Sequence, residues 1–492
     1  MVGEKYERLK TGQDLRENLI ALKQELKERE AVQELVSILQ GDYSLLAGLL
    51  GHSDPKVRKN TAIVLGRLKQ KENAPVLFEA YEKETQRFVK SDYLKALAEL
   101  DDSSCIEGLE RHLLELEQYQ PKEEEEKHIR EELLALRKLV NKGTSNKKHQ
   151  FCGYDDTWEL ILTTGKQYQE ITANQVKGGQ VTILKSGVRV VTSHIKPILA
   201  IPTYRELLFA LNIRKISDDP KEAAKALAGS NLLKLLQKAH KTEDAFYFRL
   251  GVHSSRSLEQ RSAFAKKCAF ALEQESRGKL KNSASNYEVE IRLLENRQGQ
   301  FLPLVKLYTF EKERFSYRRH TIAASIKPEH AALVARLAKP YMVERAQILD
   351  PFCGVGTMLI ERDRLCPAKM MYGIDIFGEA IAKAKENTRL AHKEIYYINR
   401  DFFRFQHNYL FDEIITNMPD RGRKSQEEQN KFYQAFFEKA AELLKDKGKI
   451  FLYCNEKNYV KKQLRLHKEF SLLQEFSMDE KENYYLFILS YA

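Results

Sequence analysis

Cysteine is scarce and scattered. Cys105, Cys152, Cys268, Cys353, Cys366 and Cys454 are the six in a chain of 492 residues. Their spacing excludes a disulfide-dense scaffold and a closely spaced zinc cluster, and a reducing cytoplasm is the compartment they suit. No uninterrupted run of about 20 apolar residues occurs, so no membrane-spanning helix is expected. The opening MVGEKYERLKTGQDLRENLI lacks a signal-like apolar stretch, and neither secretion nor membrane insertion is indicated. Hydrophobic residues make up 42% and charged residues 31%, a balance that excludes a collagen-like, low-complexity or wholly disordered chain.

The length is about 3.3 times a 150-residue domain, which predicts two to four domains. An excess of 81 Lys and Arg over 70 Asp and Glu gives +11, and it is unevenly placed. Residues 1–150 hold 26 basic and 28 acidic groups, residues 351–492 hold 23 and 21, and residues 151–350 hold 32 and 21. The middle is the electropositive part. It suits a polyanion-binding domain, although surface solubility also favours surplus Lys.

The first part reads as helices, with apolar residues recurring at helical spacings through GHSDPKVRKNTAIVLGRLK, QRFVKSDYLKALAEL and HIREELLALRKLV. Val57, Leu65 and Leu68 align with Val89, Leu97 and Leu100 at an offset of 32 residues, and Ile129, Leu136 and Leu139 form a looser third copy. Asp54-Pro55 supplies a turn and a helix start. The pattern over residues 30–140 resembles HEAT-like helical repeats, whose apolar stripes stack on their neighbours. The resemblance implies a scaffold for a protein or RNA partner, while an accessory bundle that orients the rest of the chain is the plainer expectation. The run PKEEEEKHIREE reads as a solvated helix start. The repeat rhythm stops at NKGTSNKKHQ, the expected linker at 141–150.

Beyond it the rhythm changes to short strands and turns. WELILTT, QVTILK, VRVVTS and KPILAI read as strands, YRELLFAL and KEAAKALAGSNLLKLLQKAH as helices. AFYFRLGV, YEVEIRLLE and FLPLVKLYTF follow as strands, with a helix over SLEQRSAFAKKCAFALEQES. This order, ending in NYEVEIRLL and a basic SYRRH link, resembles THUMP-containing RNA modification enzymes. The resemblance implies that a ferredoxin-like part and a THUMP part capture folded RNA. Lys266, Lys267, Arg292, Arg314, Arg318 and Arg319 are candidate phosphate contacts. Tyr317 has two readings, stacking on a base or packing the link against the next domain.

The sharpest signal is QILDPFCGVGTMLIE, a short apolar strand, a Gly-rich turn at Gly354 and Gly356, and an apolar helix. Such a turn allows close backbone approach to a ligand at a strand end. It is neither a full GxGxxG fingerprint nor a Walker A loop, since GK[ST] is absent, so nicotinamide and nucleoside triphosphate readings fall. DPFCGVGT closely resembles the S-adenosylmethionine loop of class I RNA methyltransferases, particularly THUMP-associated guanine-N2 methyltransferases. The resemblance makes Asp350, Pro351, Phe352, Cys353, Gly354, Gly356 and Thr357 cofactor-loop residues. It assigns Asp375, with Ile376, to the ribose hydroxyls and Asp401, with Phe402, to the adenine. Asn417, Met418 and Pro419 match the family's Asn-x-Pro motif, in which the Asn and an adjacent carbonyl accept hydrogen bonds from the target amine; Asn417 also borders the cofactor. Cys353 reads as a snug loop residue, not a nucleophile, and His320 and His330 lack companions for a metal.

One departure stands out. The family's usual aromatic after the motif proline is Asp420 here, followed by RGRK. Arg421, Arg423 and Lys424 are either an RNA clamp or an exposed basic turn, and Phe402, Phe403 or Phe432 are alternative stacking rings. In YRRHTIAASIKPEHAALVARLAKPY, a helix is expected after Lys327-Pro328, with Ser325, Ile326 or Lys327 possible neighbours of the pocket.

The expected fold is therefore multidomain. It comprises HEAT-like α-helices at 1–140, a ferredoxin-like domain at 151–215 and a THUMP-like α+β domain at 216–310. A Rossmann-like class I methyltransferase domain at 311–492 follows, with a seven-stranded sheet, mostly parallel with an antiparallel final edge. The expected activity is S-adenosylmethionine-dependent methylation of structured RNA, at guanine N2 in tRNA or rRNA. The alternatives are a noncatalytic RNA-binding or assembly protein that keeps the pocket, and a small-molecule or protein methyltransferase. Structured RNA is the expected partner, with a protein partner possible on the helical region and no membrane.

Overall fold

The structure, a computed structural model, describes all residues except 1, 101–103, 120, 123, 141–148, 312–313 and 480–482. Most of the expected linker thus lies outside the described residues. The chain forms two compact units. One comprises residues 1–149, 213–237 and 242–303, the other residues 150–212, 238–241 and 304–492.

In the first unit, the aligned segments are the helices Pro55–Leu68, Arg87–Leu100 and Glu126–Val140. Every aligned apolar position, from Val57 to Leu139, is buried, as stacking of amphipathic repeats requires. The Asp54 side chain accepts the Lys56 N–H, with Pro55 in the first turn. Arg58 donates to both carboxylate oxygens of Glu84 at 2.8 and 2.7 Å and to the His52 carbonyl at 2.8 Å. At the end of the repeats Arg137 is buried between two carboxylates, Glu117 at 2.9 Å and Glu273 at 2.9 Å. Glu273 belongs to the helix Leu258–Glu275, so this cluster fastens the repeats to the α+β segment of the same unit. There the strand Phe246–His253 pairs in parallel with Leu280–Asn282 and Val289–Glu295. The short strand Leu280–Asn282 carries too few residues to show a period.

In the second unit, Gln180–Leu184, Gly187–Thr192, Trp158–Thr163 and Leu207–Ala210 are antiparallel neighbours in that order. Two expectations are corrected. KPILAI holds a helix, Ile195–Leu199: Pro197 has no N–H for a ladder but fits a first helical turn. YRELLFAL holds the strand Leu207–Ala210, buried throughout; a continuous run of four apolar residues has no period by which to tell strand from helix.

The C-terminal sheet has seven strands: β1 (Gln347–Asp350), β2 (Met370–Asp375), β3 (Tyr396–Asn399), β4 (Phe411–Asn417), β5 (Leu444–Cys454), β6 (Phe470–Asp479) and β7 (Tyr484–Tyr491). Their order is β3-β2-β1-β4-β5-β7-β6. Parallel pairing runs from β3 through β5, and β7 is antiparallel to both β5 and β6. The reversed strand is the last in the chain, but it lies one place in from the edge instead of on it. Leu486 to Leu489 of β7 are fully buried while Leu472 and Leu473 of β6 are exposed, so the more apolar strand takes the interior place. Tyr168 donates its hydroxyl to the Ser477 carbonyl at 2.8 Å, tying the segment 150–212 to β6.

Arg362, in the helix Thr357–Leu365, is buried with Glu413 of β4, at 3.0 Å from Nε and 2.8 Å from Nη2. The Val343 N–H donates to Glu413 at 2.6 Å and its carbonyl accepts from Arg362 at 2.9 Å. Among the described residues no helix is long and apolar enough to cross a membrane.

Gly66 generates a prediction of sign. In an open helix Gly→Ala gains about 1 kcal/mol, but a Cβ at Gly66 would lie 2.7 Å from Ala96 Cα. Gly66→Ala is therefore expected to destabilise the repeats by about 1–3 kcal/mol, read as faster amide hydrogen exchange in Pro55–Leu68 and Arg87–Leu100 of the full chain. Unchanged or slower exchange would refute the close packing.

Candidate active site

The carboxyl ends of β1 to β4 open on a cavity of about 440 Å³. Open α/β sheets bind ligands at this edge. After Asp350 the chain turns through Pro351, Phe352 and Cys353, and left-handed backbone at Gly354 and Gly356, φ +51° and +81°, leads into the helix that starts at Thr357. A Cβ at Gly356 would sit 2.1 Å from the Tyr397 hydroxyl, so the turn admits only glycine there.

Asp350 is buried, and its Oδ1 accepts from the Phe352 N–H at 3.1 Å and from the Thr416 hydroxyl at 2.8 Å. Burial pushes its pKa up to about 7 against those hydrogen bonds, with the charge of Asp375 adding to the rise. Asp375, at the end of β2, accepts the Gly354 N–H on Oδ2 and the Phe377 N–H on Oδ1, both at 2.9 Å. Beyond it Ile376 and Phe377 are 62% and 69% exposed at the cavity mouth. Asp401 caps a short turn through the Phe403 N–H at 3.0 Å, with Phe402 buried behind it. Burial drives the Cys353 thiol well above its usual range, which leaves it un-ionised and unsuited to nucleophilic attack.

Asn417 ends β4. Its Nδ2 points to the Ala324 carbonyl at 3.5 Å, leaving Oδ1 as an acceptor. The Met418 N–H is held by the Tyr453 carbonyl at 2.9 Å, and Met418 is buried. Asp420 accepts from Asn455 Nδ2 at 2.9 Å and from the Tyr484 hydroxyl at 3.1 Å. It ties the turn down and offers no ring. Rings come from elsewhere: Phe352 and Phe432 have centroids 5.4 Å apart, Phe403 and Phe432 5.5 Å, and the Lys424 ammonium lies 4.3 Å over Phe432.

Asp350 through Gly354, Thr357, Asp375, Ile376, Asp401, Phe402 and Asn417 to Pro419 all line this one cavity, as do Phe403, Lys424 and Phe432. Gly356 shapes the turn behind it. Sequence reading missed Ile322, Ala324, Val355, Met358, Phe377 and Arg400. The segment carrying Ile322 and Ala324 is clamped by Asn387, which accepts the His320 N–H at 3.0 Å and donates to the His320 and Val355 carbonyls at 3.0 and 3.2 Å. Ser325 and Ile326 reach the cavity; Lys327 instead stands just before the helix Pro328–Ala338, outside the cavity lining.

The phosphate candidates divide. Lys266, Lys267, Arg319, Arg421, Arg423 and Lys424 are exposed. Arg292 pairs with Glu290 at 3.1 Å. Arg318 donates to the Ile326 carbonyl at 2.8 Å, and Arg314 to the Ile201 and Arg205 carbonyls at 3.0 and 2.9 Å. These two cations are structural ties, not extended arms. Base stacking by Tyr317 is also corrected: it is 2% exposed and donates to Glu361 at 2.8 Å, so it packs the link. No cluster of three metal-ligating side chains occurs among the described residues.

Residues 316–483 match the profile of the RMKL-like methyltransferase domain, and residues 43–119 that of HEAT repeats. Among solved structures, TrmN from Thermus thermophilus is similar at a TM-score of 0.52 and 20% identity, covering 68% of this chain and 99% of its own. SMU.472 complexed with SAH is similar at a TM-score of 0.52 and 13% identity, covering 68% and 98%. At these identities the likeness is one of fold. No curated protein matches the sequence. The chain thus joins a HEAT-like repeat region to a class I methyltransferase domain whose cofactor is S-adenosylmethionine.

The cavity's own residues fit that cofactor. Carboxylates at Asp375 and Asp401 are acceptors for hydroxyl and amine donors, Ile376, Phe377 and Phe402 offer apolar faces, and the glycine turn brings backbone close. Asp375→Asn is expected to weaken S-adenosylmethionine binding about 10- to 100-fold, the size of a charge-assisted hydrogen bond; calorimetry with unchanged affinity would remove Asp375 from the site. A second expectation concerns pH. Because Asp350 holds its proton more tightly when folded, its favourable contribution is full at low pH and lost as pH rises through about 7. Asp350→Asn keeps the acceptor oxygen and abolishes the titration. Its melting temperature relative to the native chain should climb between pH 5 and 8, and a constant difference would contradict the buried, raised carboxyl.

Proposed function

We propose that the protein methylates an exocyclic amine of structured RNA, with guanine N2 in tRNA or rRNA as the acceptor. The observation that carries this reading is the Asn417-Met418-Pro419 turn opening on the cofactor cavity with the Asn417 Oδ1 free to accept. S-adenosylmethionine, when bound, supplies a methyl group already activated by a positively charged sulfur. The chain's task is alignment of the acceptor nitrogen. Asn417 Oδ1 takes one N–H of the acceptor amine, so the nitrogen lone pair is directed into the cavity. The Met418 amide, fixed by Tyr453, and the restricted φ of Pro419 hold that turn in place. Phe352, Phe403 and Phe432 give a base taken out of its stack an aromatic wall. The basic balance of residues 151–350 supports RNA as the substrate class. So does the resemblance of this region to THUMP-containing enzymes. The HEAT-like helices, fastened to the α+β segment through Arg137, act in this reading as an orienting element.

Asp420 favours a second reading, an RNA-binding protein that keeps the pocket without transfer, because the position after Pro419 is tied to Asn455 and Tyr484 and offers no ring. Purified protein, mixed cellular RNA and a labelled methyl donor, followed by nucleoside analysis, separate the two. The expected product is N2-methylguanosine, reduced about 100-fold by Asn417→Ala at saturating S-adenosylmethionine, in line with the loss of one transition-state contact. Cofactor binding without any transfer would sink the enzyme reading and leave the second.

A further inference from the structure

Away from the cofactor cavity, the second unit contains a cleft of about 210 Å³ lined by three arginines, Arg314, Arg336 and Arg364, and one carboxylate, Glu361. The helices Pro328–Ala338 and Thr357–Leu365 pack together to form it. Ala332 and Arg336 lie four residues apart on one helix, and Glu361, Arg364 and Leu365 share a face of the other. Ala332 is small and leaves room beside the Arg336 guanidinium. Three guanidiniums against one carboxylate leave the lining with two surplus positive charges.

The hydrogen bonds show which of these groups is free. Arg314 is fixed by two carbonyls and lies 3.6 Å over the Tyr204 ring. Arg364 donates to Glu361 at 3.1 Å, lies over the Tyr317 ring at 5.3 Å, and is 41% exposed. Glu361 is 3% exposed and also receives the Tyr317 hydroxyl at 2.8 Å. Burial raises its pKa against the pull of Arg364 and Tyr317, and its Oε1 is already engaged by those two neighbours. Arg336 is the exception. Its Nε is buried with no hydrogen-bond partner among the described residues. An N–H of a charged group left without an acceptor is costly, and such groups in native proteins meet a water or an ion.

Guanidinium forks match tetrahedral oxyanions, the surplus positive charge of the lining suits an anion, and the volume suits a single group in place of a whole nucleotide. We infer that this cleft is a phosphate-binding site, with Arg336 and Arg364 donating to the phosphate oxygens and Arg314 contributing fixed charge. The phosphate is either a backbone phosphodiester of RNA or free phosphate. Only the first source rests on the function proposed above.

Two measurements on the full chain decide the matter. In the first, inorganic phosphate is titrated calorimetrically into the native protein, Arg336→Gln and, as a more exposed second variant, Arg364→Gln. Saturable binding that weakens at least tenfold in either variant, with S-adenosylmethionine affinity and melting temperature retained, is the expected result. In the second, bulk tRNA binding is followed over a salt series, where loss of one phosphate contact lowers the slope of log K against log salt by about 1. A lower slope in Arg336→Gln places an RNA phosphate in the cleft. An unchanged slope with phosphate binding lost assigns the cleft to free phosphate. Phosphate binding equal in all three proteins, or none in the native protein together with an unchanged slope, overturns the site. Absence of tRNA binding by the native protein counts against the RNA function, while the phosphate titration still decides the cleft.

Discussion

Arg362 and Glu413 are both fully buried, and their paired hydrogen bonds join the helix that follows the glycine turn to the strand that ends in Asn417. Two charges taken out of water add little net stability on average, but removing either partner strands the other at a cost of about 3–5 kcal/mol. A pair of this kind therefore acts on geometry. Glu413 lies four residues before Asn417 along β4, and Arg362 lies five after Thr357, so one ion pair sets the distance between the glycine turn and the Asn-Met-Pro turn. Val343 extends the same clamp to the segment that leads into β1, through both its N–H and its carbonyl.

Within that frame the acids of the cavity do different work because their surroundings differ. Asp350, buried under the loop, spends one oxygen on Phe352 and Thr416 and is driven toward neutrality. Asp375 sits at the open end of β2 and is shared between two backbone N–H groups, one of them from Gly354. The first holds the β1–β4 strand ends together; the second holds the turn and faces the ligand space. Both acidic positions look alike in the sequence, at the end of a strand before a turn.

That limit explains what the sequence made legible. The ordered strand ends and the glycine turn depend on local backbone rules, and they were readable together with the repeat positions from Val57 to Leu139; the Asn-Met-Pro turn stood out through its resemblance to a family motif. Leu207–Ala210 was not readable, since a short strand buried on both faces has no alternation. Tyr317 stood between stacking and packing for another reason: it precedes Arg318 and Arg319 in the chain, but its partner Glu361 lies 44 residues away. The cavity wall at Ile322 and Ala324 depends on Asn387, more than 60 residues downstream, and no local pattern announces a clamp of that span.

Asp420 ties down the turn that follows Pro419. A ring placed directly after Pro419 would ride on an exposed turn. Here that turn is held by Asn455 and Tyr484, with Tyr484 stacked on Tyr453, whose carbonyl also fixes Met418. The ring facing the cavity is instead Phe432, on the helix Gln426–Leu443, whose start is fixed by reciprocal hydrogen bonds between Ser425 and Glu428. Phe352 and Phe403 flank it, and Lys424 covers it with a cation. Side chains on helices are held more tightly than those on loops. In the proposed reaction the aromatic surface is therefore part of the rigid frame, and the Asn417-Met418-Pro419 turn is left to position the amine.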